Sequence, residues 1–178
     1  MKTTLSHYSF GKPLNPSDAY DASESDDLFG QIKELIDGSH PGVLTTIDLL
    51  GFPRARWMAT LSLEKLPFIY TLTSATSRKI LEIERNPAVT WLFSNSDLSM
   101  AVSLTGNARV RRDAEARIEA WRLIKDKSHA YFLKNCVEGA GYVVIETMVN
   151  LVECCTPKNA LRFRVDFDKL LPEAETVR

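Results

Sequence analysis

Residues 51–59 read GFPRARWMA, and residues 68–87 read FIYTLTSATSRKILEIERNP. Each segment contains a predicted β-strand, because aromatic and β-branched residues favour extended backbone. The second strand passes directly into a predicted helix over residues 77–85, which ends before Pro87. This arrangement puts hydroxyl and cationic side chains at the start of a helix, beside a strand that carries two arginines.

The start of this helix has the composition of an anion-binding site. A first helical turn offers unpaired N–H groups and the positive end of the helix dipole, and both favour a phosphate. Arg78 and Lys79 oppose that dipole, a cost that a bound anion would offset, and Ser77 adds a hydroxyl. Arg56 comes from the neighbouring strand, so a dianion suits the site, whereas Arg54 is the more solvated of these two arginines. We expect the side chains of Arg56 and Lys79 to be exposed when no anion is bound; the alternative is a solvated first turn of a surface helix.

The rest of the chain predicts antiparallel strands joined mostly by hairpins. About three short helices flank them, because apolar residues recur there at helical spacing. The crossover helices that a parallel sheet requires are absent between most strands. The predicted fold class is therefore mainly β (α+β), an antiparallel barrel of six to seven strands with about three short flanking helices. The predicted strands cover residues 43–47, 53–61, 66–73, 88–94, 100–111, 142–155 and 161–167.

The predicted organisation is one domain over residues 26–178. Asp26 is a candidate cap of the first helix, which ends near Gly38. Residues 1–25 are rich in polar residues without periodicity and predict a flexible arm. The apolar stripe of the first helix comprises Leu28, Ile32, Leu35 and Ile36.

Two local features of the later chain make specific predictions. Gly106 interrupts the strand over residues 100–111 and indicates a bulge or a close approach of two backbones. Asp113 can cap the helix that follows. The predicted apolar stripe of that helix comprises Ala114, Ile118 and Trp121.

Composition narrows the classes of function. The chain has 178 residues, a net charge of −1 and 44% hydrophobic residues, so nothing favours nucleic acid as a partner. No stretch approaches the ~20 apolar residues of a membrane helix, and no signal peptide is indicated, so we expect a cytoplasmic protein. Cys136, Cys154 and Cys155 are odd in number and form no Cys-x-x-Cys pair, so neither a disulfide framework nor a metal site is predicted.

The two opening segments also resemble a known family. The order Gly-x-Pro-x-x-Arg-x-Met at residues 51–58, then Thr-Ser-x-x-Ser-x-Lys at residues 73–79, then Asn-Pro at residues 86–87, is similar to the pyridoxamine 5′-phosphate oxidase-like flavin-binding split barrels. Within that family the bacterial general stress protein branch is the most similar. The resemblance extends over residues 28–121.

This resemblance implies FMN as cofactor and a split form of the barrel. It implies that the first strand runs along the flavin ring, which its backbone contacts, and that the second strand and the helix start complete the site. It also implies a homodimer with FMN in a cleft between the subunits. The implied cofactor-binding residues are Arg54, Arg56, Trp57, Met58, Ala59, Leu72, Thr73, Ser77, Arg78 and Lys79.

The reaction is less defined than the cofactor. The resemblance implies an FMN-dependent oxidoreductase that acts on an unknown small molecule, with NAD(P)H as a candidate donor, and no residue is indicated as catalytic. A true pyridoxamine phosphate oxidase is not expected, because the Trp- and Arg-rich end of that enzyme has no counterpart here. Alternatives are a non-catalytic flavin-binding or redox-sensing protein, a barrel that binds haem or a deazaflavin, and a structural dimer with an empty cleft.

The apolar strand faces also predict a dimer. They exceed what one barrel interior absorbs, so a twofold interface is expected to bury the remainder. Trp91, Phe93 and Val102 are the candidates for this intersubunit face.

Overall fold

The computed structural model describes residues 6–9, 12–13, 22–37, 41–62, 67–124, 141–156 and 161–166. Within these ranges, three helices accompany seven strands of six residues or more, which confirms the predicted mainly β class. The elements in chain order are β1 (Ser6–Ser9), β2 (Lys12–Pro13), α1 (Ala22–Asp37), β3 (Gly42–Ile47), β4 (Pro53–Met58), β5 (Leu61–Ser62), β6 (Phe68–Ser74), α2 (Arg78–Arg85), β7 (Ala88–Ser94), β8 (Ala101–Arg111), α3 (Ala114–Ile124), β9 (Tyr142–Thr156) and β10 (Leu161–Asp166).

The strands form a ring of antiparallel pairs. The order β4-β3-β7-β8-β9-β6-β5 is hydrogen-bonded throughout, and the chain itself joins β4 to β5 through Ala59 and Thr60. At this junction the Oγ1 of Thr71 donates to the carbonyl of Ala59 at 2.5 Å. The barrel is therefore closed by a covalent crossing rather than by a β4–β5 ladder, as expected of a split barrel.

The long strand β9 serves two partners along one edge. Its first half, residues 142–148, pairs with β6, and its second half, residues 151–156, pairs with β10. Its other edge pairs with β8 over almost its full length. β10 then continues the sheet to β1 and β2, beyond the barrel.

The barrel interior is filled by alternate residues of these strands. Trp91, Phe93 and Val102 are buried within the single chain, so the prediction that they face a second subunit is wrong. The rings of Trp91 and Phe93 stack at 5.9 Å, and the indole N–H of Trp91 donates to Thr147 at 3.1 Å. Strand alternation indicated two faces, but the sequence did not indicate which face pointed inward.

Helices α1 and α2 complete this core. Ile32 and Ile36 are buried against the barrel, which confirms these two residues of the predicted α1 stripe, and Ile80 and Ile83 of α2 are buried in the same core. Leu35 packs at the edge of the core, and the side chain of Leu28 lies outside the described residues. Both helices therefore contribute apolar surface to the barrel interior.

Helix α3 packs through a different face from the predicted one. Ile118 is 67% exposed and Ala114 is exposed, so two members of the predicted stripe are wrong. Ala116, Ala120 and Trp121 instead pack on Leu72 and Val144, on the outer side of the sheet. Small alanines let the helix lie close to the sheet, a factor that a search for large apolar residues does not detect.

Two local predictions are confirmed. Asp113 caps α3, since its Oδ1 accepts the N–H of Ala116 at 2.8 Å. The bulge predicted at Gly106 is present: the pairing shifts between Thr105 and Gly106, which skips one residue of β9. A Cβ on Gly106 would lie 2.1 Å from the carbonyl oxygen of Met148, so only glycine fits this approach.

The start of the chain departs from the predicted boundary. Helix α1 begins at Ala22, four residues before Asp26. The intervening sequence contains no proline or glycine that would stop a helix, and its acidic residues suit a helix N-terminus. Before it, β1 pairs with β10. The flexibility of residues 1–25 and the extent of the domain stay predictions.

Cys154 is buried and Cys155 is partly buried, and both are free thiols. Burial raises the pKa of Cys154 to about 11, so this thiol stays protonated near neutral pH. Cys136 lies outside the described residues. Of the helices in the described ranges, none has the length and apolarity to cross a membrane.

Candidate functional site

The turn between β6 and α2 is held by short-range hydrogen bonds. The N–H of Ser77 donates to the carbonyl of Ser74 at 3.0 Å, and the Ser74 hydroxyl accepts the N–H of Thr76 at 3.3 Å. Ser77 is the N-cap of α2, with extended backbone at φ −68° and ψ 136°. Its hydroxyl makes no capping bond to the helix and instead accepts a hydrogen bond from Lys79.

Lys79 brings two other predicted site residues together. Its Nζ donates to the Oγ of Ser77 at 2.6 Å and to the Oγ1 of Thr73 at 2.8 Å. The Lys79 side chain is partly buried rather than exposed. The predicted grouping of the β6 end with the α2 start is therefore present, with an ammonium group at its centre.

Arg56 lies beside a residue that the sequence reasoning missed. Its Nη2 donates to the Oε2 of Glu82 at 2.9 Å, and its Nη1 donates to the Oγ1 of Thr46 at 2.6 Å. Thr46 in turn donates to the same carboxylate at 2.5 Å. Arg56 is only 19% exposed, so the expectation that it stands free in solvent is wrong. A buried acid now accounts for its position.

Glu82 also holds Arg78. The Nε of Arg78 donates to the other carboxylate oxygen, Oε1, at 3.1 Å, while 75% of the Arg78 side chain is exposed. The Glu82 side chain is 1% exposed. We call Thr46, Arg56, Arg78 and Glu82 the Glu82 cluster. The i,i+4 spacing of Arg78 and Glu82 was visible in the sequence, but the burial of Glu82 was not.

The charge of this region favours an anion. Burial by itself would raise the pKa of Glu82, but the hydrogen bond from Thr46 and the charge of Arg56 outweigh it and hold the pKa below its usual value. Glu82 is therefore ionised at neutral pH. Together with Lys79 in the first turn of α2, the cluster has three cations and one carboxylate, and no acidic residue lies in that turn. Three cations at or beside a helix N-terminus suit a dianion such as a phosphate.

Arg54 lies apart from this cluster. Its Nε donates to the Oδ2 of Asp48 at 2.7 Å, at the β3–β4 turn. Asp48 also accepts the N–H groups of Leu50 and Phe52, each at 2.9 Å, and the bond from Phe52 is the main cause that lowers its pKa. The geometry gives Arg54 a place in the hairpin turn, and its predicted contact with a cofactor stays a prediction.

The predicted ring-contacting strand, β4, ends the strand order of the sheet. Its outer edge has no strand partner in the part of the chain that the structure describes. Met58 and Ala59 are buried, whereas Trp57 points to the opposite face and is 64% exposed. Leu72 packs under α3 and not toward Lys79, because its neighbour Thr73 takes that side of β6. Backbone at the β4 edge can therefore meet a ligand, while Leu72 offers no side chain to it.

Comparison with known proteins gives a family. A sequence model of pyridoxamine 5′-phosphate oxidase matches residues 28–153. Among curated proteins, no relative matches the chain significantly.

Solved structures share the fold. General stress protein 26 from Bacillus anthracis strain Sterne is 24% identical, with a TM-score of 0.59 over 71% of this chain and 92% of that one. A Clostridium acetobutylicum protein related to general stress protein 26 is 13% identical, with a TM-score of 0.67 over 82% and 99%. A haem-binding protein from Mycobacterium smegmatis is 16% identical, with a TM-score of 0.59 over 75% of this chain and 57% of that one.

Proposed function

This chain belongs to the pyridoxamine 5′-phosphate oxidase family, and on that premise we propose that it binds FMN and acts as an FMN-dependent oxidoreductase on a small molecule. The phosphate would lie at the start of α2, where Ser77, Arg78 and Lys79 follow the end of β6. Arg56 would contribute from β4.

One observation carries this proposal: three cations, Arg56, Arg78 and Lys79, lie in or contact the start of α2. Arg56 and Arg78 both bond Glu82, and Lys79 donates to the hydroxyls of Thr73 and Ser77 at the end of β6. A phosphate monoester carries a charge of about −1.5 to −2 at pH 7, opposite to the charge of these side chains. Charged donors bind phosphate with hydrogen bonds worth roughly 1.5–3 kcal/mol each, so the site can distinguish FMN from riboflavin.

Within the described residues the outer edge of β4 has no strand partner, and this edge suits the flavin ring. An edge strand presents backbone N–H and C=O groups, which can meet the polar side of a planar ring without particular side chains. The carbonyl of Ala59 already accepts the hydroxyl of Thr71, so this carbonyl is held in place by the barrel. When bound, FMN supplies hydride or electron transfer, and the protein's part is to hold and orient it.

Cofactor extraction tests the proposal directly. The purified protein is denatured, and the released molecule is identified by its absorption and mass. We then titrate cofactor-free protein with FMN, riboflavin and FAD by calorimetry. The expected outcome is FMN in the extract, with weaker binding of riboflavin and FAD. Equal affinities for the three ligands would remove the phosphate site at α2 from the proposal.

Haem is the second candidate, because a haem-binding protein shares this fold. Haem iron needs an axial ligand, and histidine is the usual one. The side chains of the three histidines, His7, His40 and His129, lie outside the described part of the structure, so the described residues neither support nor oppose a histidine ligand. A haem absorption band and mass in the extract would favour this alternative over FMN. The mass of a deazaflavin in the extract would favour the third candidate cofactor.

Turnover separates an enzyme from a storage or sensing protein. We propose that a nicotinamide donor reduces the bound flavin and that a small electrophile reoxidises it. Pyridoxamine 5′-phosphate is not the proposed substrate, since residues 122–178 contain no tryptophan and so do not match the Trp- and Arg-rich segment of that enzyme. Rapid-mixing absorbance with NADH and NADPH tests the first half-reaction; an unreduced flavin with both donors would favour the non-catalytic alternative.

We also propose a homodimer, on a different face from the predicted one. Val43 and Leu92 are paired neighbours on the outer face of β3 and β7, and Val43 also pairs with Trp57 of β4. Leu92 is 48% exposed, so this face leaves apolar surface in water. Sedimentation at low concentration is expected to show a dimer that Leu92→Glu dissociates, whereas a monomeric parent protein would contradict the proposal.

A further inference from the structure

Glu82 occupies an unusual position for an acid beside a proposed phosphate. Its carboxylate is almost fully buried, and each of its oxygens accepts from a different arginine, Oε2 from Arg56 and Oε1 from Arg78. The two arginines come from different elements, β4 and α2, 22 positions apart in the sequence. One carboxylate thus fixes the relative position of two cations.

We infer that Glu82 is a positioning residue, which orients Arg56 and Arg78 for the anion at the start of α2. This inference rests on the proposed function, because it concerns the same site. Without a carboxylate between them, two guanidinium groups would repel each other and would lose the geometry that a phosphate needs. The negative charge of Glu82 weakens the attraction of the site for a phosphate, but its two hydrogen bonds keep the guanidinium groups of Arg56 and Arg78 in a fixed arrangement.

Thr46 supports the same arrangement from β3. Its hydroxyl accepts from Arg56 and donates to Glu82, so it joins the two groups that Glu82 must hold together. With Nη1 on Thr46 and Nη2 on Glu82, the guanidinium plane of Arg56 is set by two bonds. These two bonds use two of the five N–H donors of the guanidinium, so three donors stay available for a ligand. A long flexible side chain is thereby ordered before any ligand arrives.

A merely structural role for Glu82 makes a different prediction. If Glu82 only neutralises Arg56 for the sake of the fold, its loss lowers stability and weakens every flavin equally. If it positions the arginines, its loss weakens FMN more than riboflavin, because riboflavin lacks the phosphate. The dissociation constant for riboflavin divided by that for FMN, which we call the FMN-to-riboflavin ratio, therefore separates these roles, because it falls only when FMN binding is weakened more than riboflavin binding.

The test compares Glu82→Gln with the matched variant Glu84→Gln. Glu84 lies on the same helix and pairs with Arg112 at 2.5 Å on the surface, away from the cluster. We expect E82Q to weaken FMN binding about 10-fold, the worth of roughly one charge-assisted hydrogen bond, and riboflavin binding less than about 3-fold. E84Q should leave both unchanged. An FMN-to-riboflavin ratio in E82Q that equals or exceeds that of the parent protein would overturn the inference.

A double-mutant cycle tests whether Glu82 acts through Arg56. In an Arg56→Ala background, adding E82Q should lower the FMN-to-riboflavin ratio less than it does in the parent protein, because only the exposed Arg78 is then left for Glu82 to position. A loss in that background as large as in the parent protein would overturn the positioning of Arg56.

Thr46→Val supplies the measurement if E82Q does not fold. It removes the hydroxyl that joins Arg56 to Glu82 and keeps the side-chain shape, so a loss of about 3-fold or more in the FMN-to-riboflavin ratio is expected. An unchanged ratio would contradict the inference. The proposed function fails separately: a parent protein that binds FMN no better than riboflavin would overturn both proposals, whereas a discriminating parent with an indifferent E82Q overturns only this one.

Discussion

Two buried glutamates in the described part of the chain each accept hydrogen bonds from a pair of arginines, and the charged residues beside the two pairs differ. Glu82 accepts from Arg56 and Arg78. Glu146, on the outer face of β9, accepts from Arg109 and from Arg111, the latter at 2.9 Å. Both carboxylates are at most 5% exposed.

The difference lies in the next charged residue. Asp113 takes Arg111 with two hydrogen bonds of 2.8 and 3.2 Å, so two acids match two arginines around Glu146. Beside the Glu82 cluster, Lys79 adds a third cation instead. A buried arginine–glutamate pair therefore does not by itself indicate a binding site, and the charged residues around the pair must be considered as well.

The largest expected effect concerns stability. Arg56→Ala leaves the buried Glu82 carboxylate with only the largely exposed Arg78 as a charged partner, and breaking a buried ion pair typically costs about 3–5 kcal/mol in the free energy of unfolding. Arg109→Ala should cost no more than about 1 kcal/mol, because Arg109 is 67% exposed and Glu146 keeps Arg111. Urea unfolding of the cofactor-free proteins measures both, and equal losses would contradict the contrast between the clusters.

The next effect concerns the cofactor. Lys79→Ala is expected to weaken FMN binding about 10- to 100-fold, because it removes an ammonium donor worth roughly 1.5–3 kcal/mol to a phosphate. Riboflavin binding should change little. Arg109→Ala serves as the control, because Arg109 bonds Glu146 and not Glu82, and it should bind FMN like the parent protein. Calorimetric titration would show the assignment to be wrong if the Lys79 variant kept full affinity.

A smaller effect on stability is expected from removing the hydroxyl beside each glutamate, that of Thr46 beside Glu82 and that of Tyr70 beside Glu146. Thr46→Val removes a fully buried hydroxyl that bonds both Arg56 and Glu82, so we expect a loss of about 1–3 kcal/mol in the free energy of unfolding. Tyr70 lies by Glu146, and burial first, then that carboxylate, raises its pKa. Tyr70→Phe should cost about 1 kcal/mol. Thermal unfolding of both variants measures these losses. A larger loss of stability in Tyr70→Phe than in Thr46→Val would contradict the prediction.

The smallest effect is one of pH. The hydrogen bond from Arg111, and after it the N–H of Ala116, lowers the pKa of Asp113 from 3.8 to about 2. A lowered folded-state pKa adds stability that is present above pH 3.8 and is lost as the pH falls toward 2. Asp113→Asn should remove this contribution, so its stability deficit should shrink between pH 4 and pH 2. A deficit that is constant over this range in urea titrations would refute the assignment.

The sequence by itself determined most of the secondary-structure elements and the part of the candidate site that comes from neighbouring residues at the β6–α2 turn. Strand β7 occupies the predicted residues, Ala88–Ser94, and α2 begins one residue after the predicted Ser77. Thr73, Ser77 and Lys79 meet because they lie within seven residues at a strand-to-helix turn, where backbone geometry leaves few arrangements. Patterns of this kind depend on neighbours along the chain.

Only the tertiary structure decided which faces are buried and which charges meet. Alternation in β7 indicated two faces, but the closure of the ring turned Trp91 inward and left Leu92 in water. Helix α3 lies on its alanines rather than on Ile118. Glu82 meets Arg56 across 26 positions of the chain because α2 packs beside β3 and β4. Local periodicity carries no information on such distant partners, since they depend on how the elements pack together.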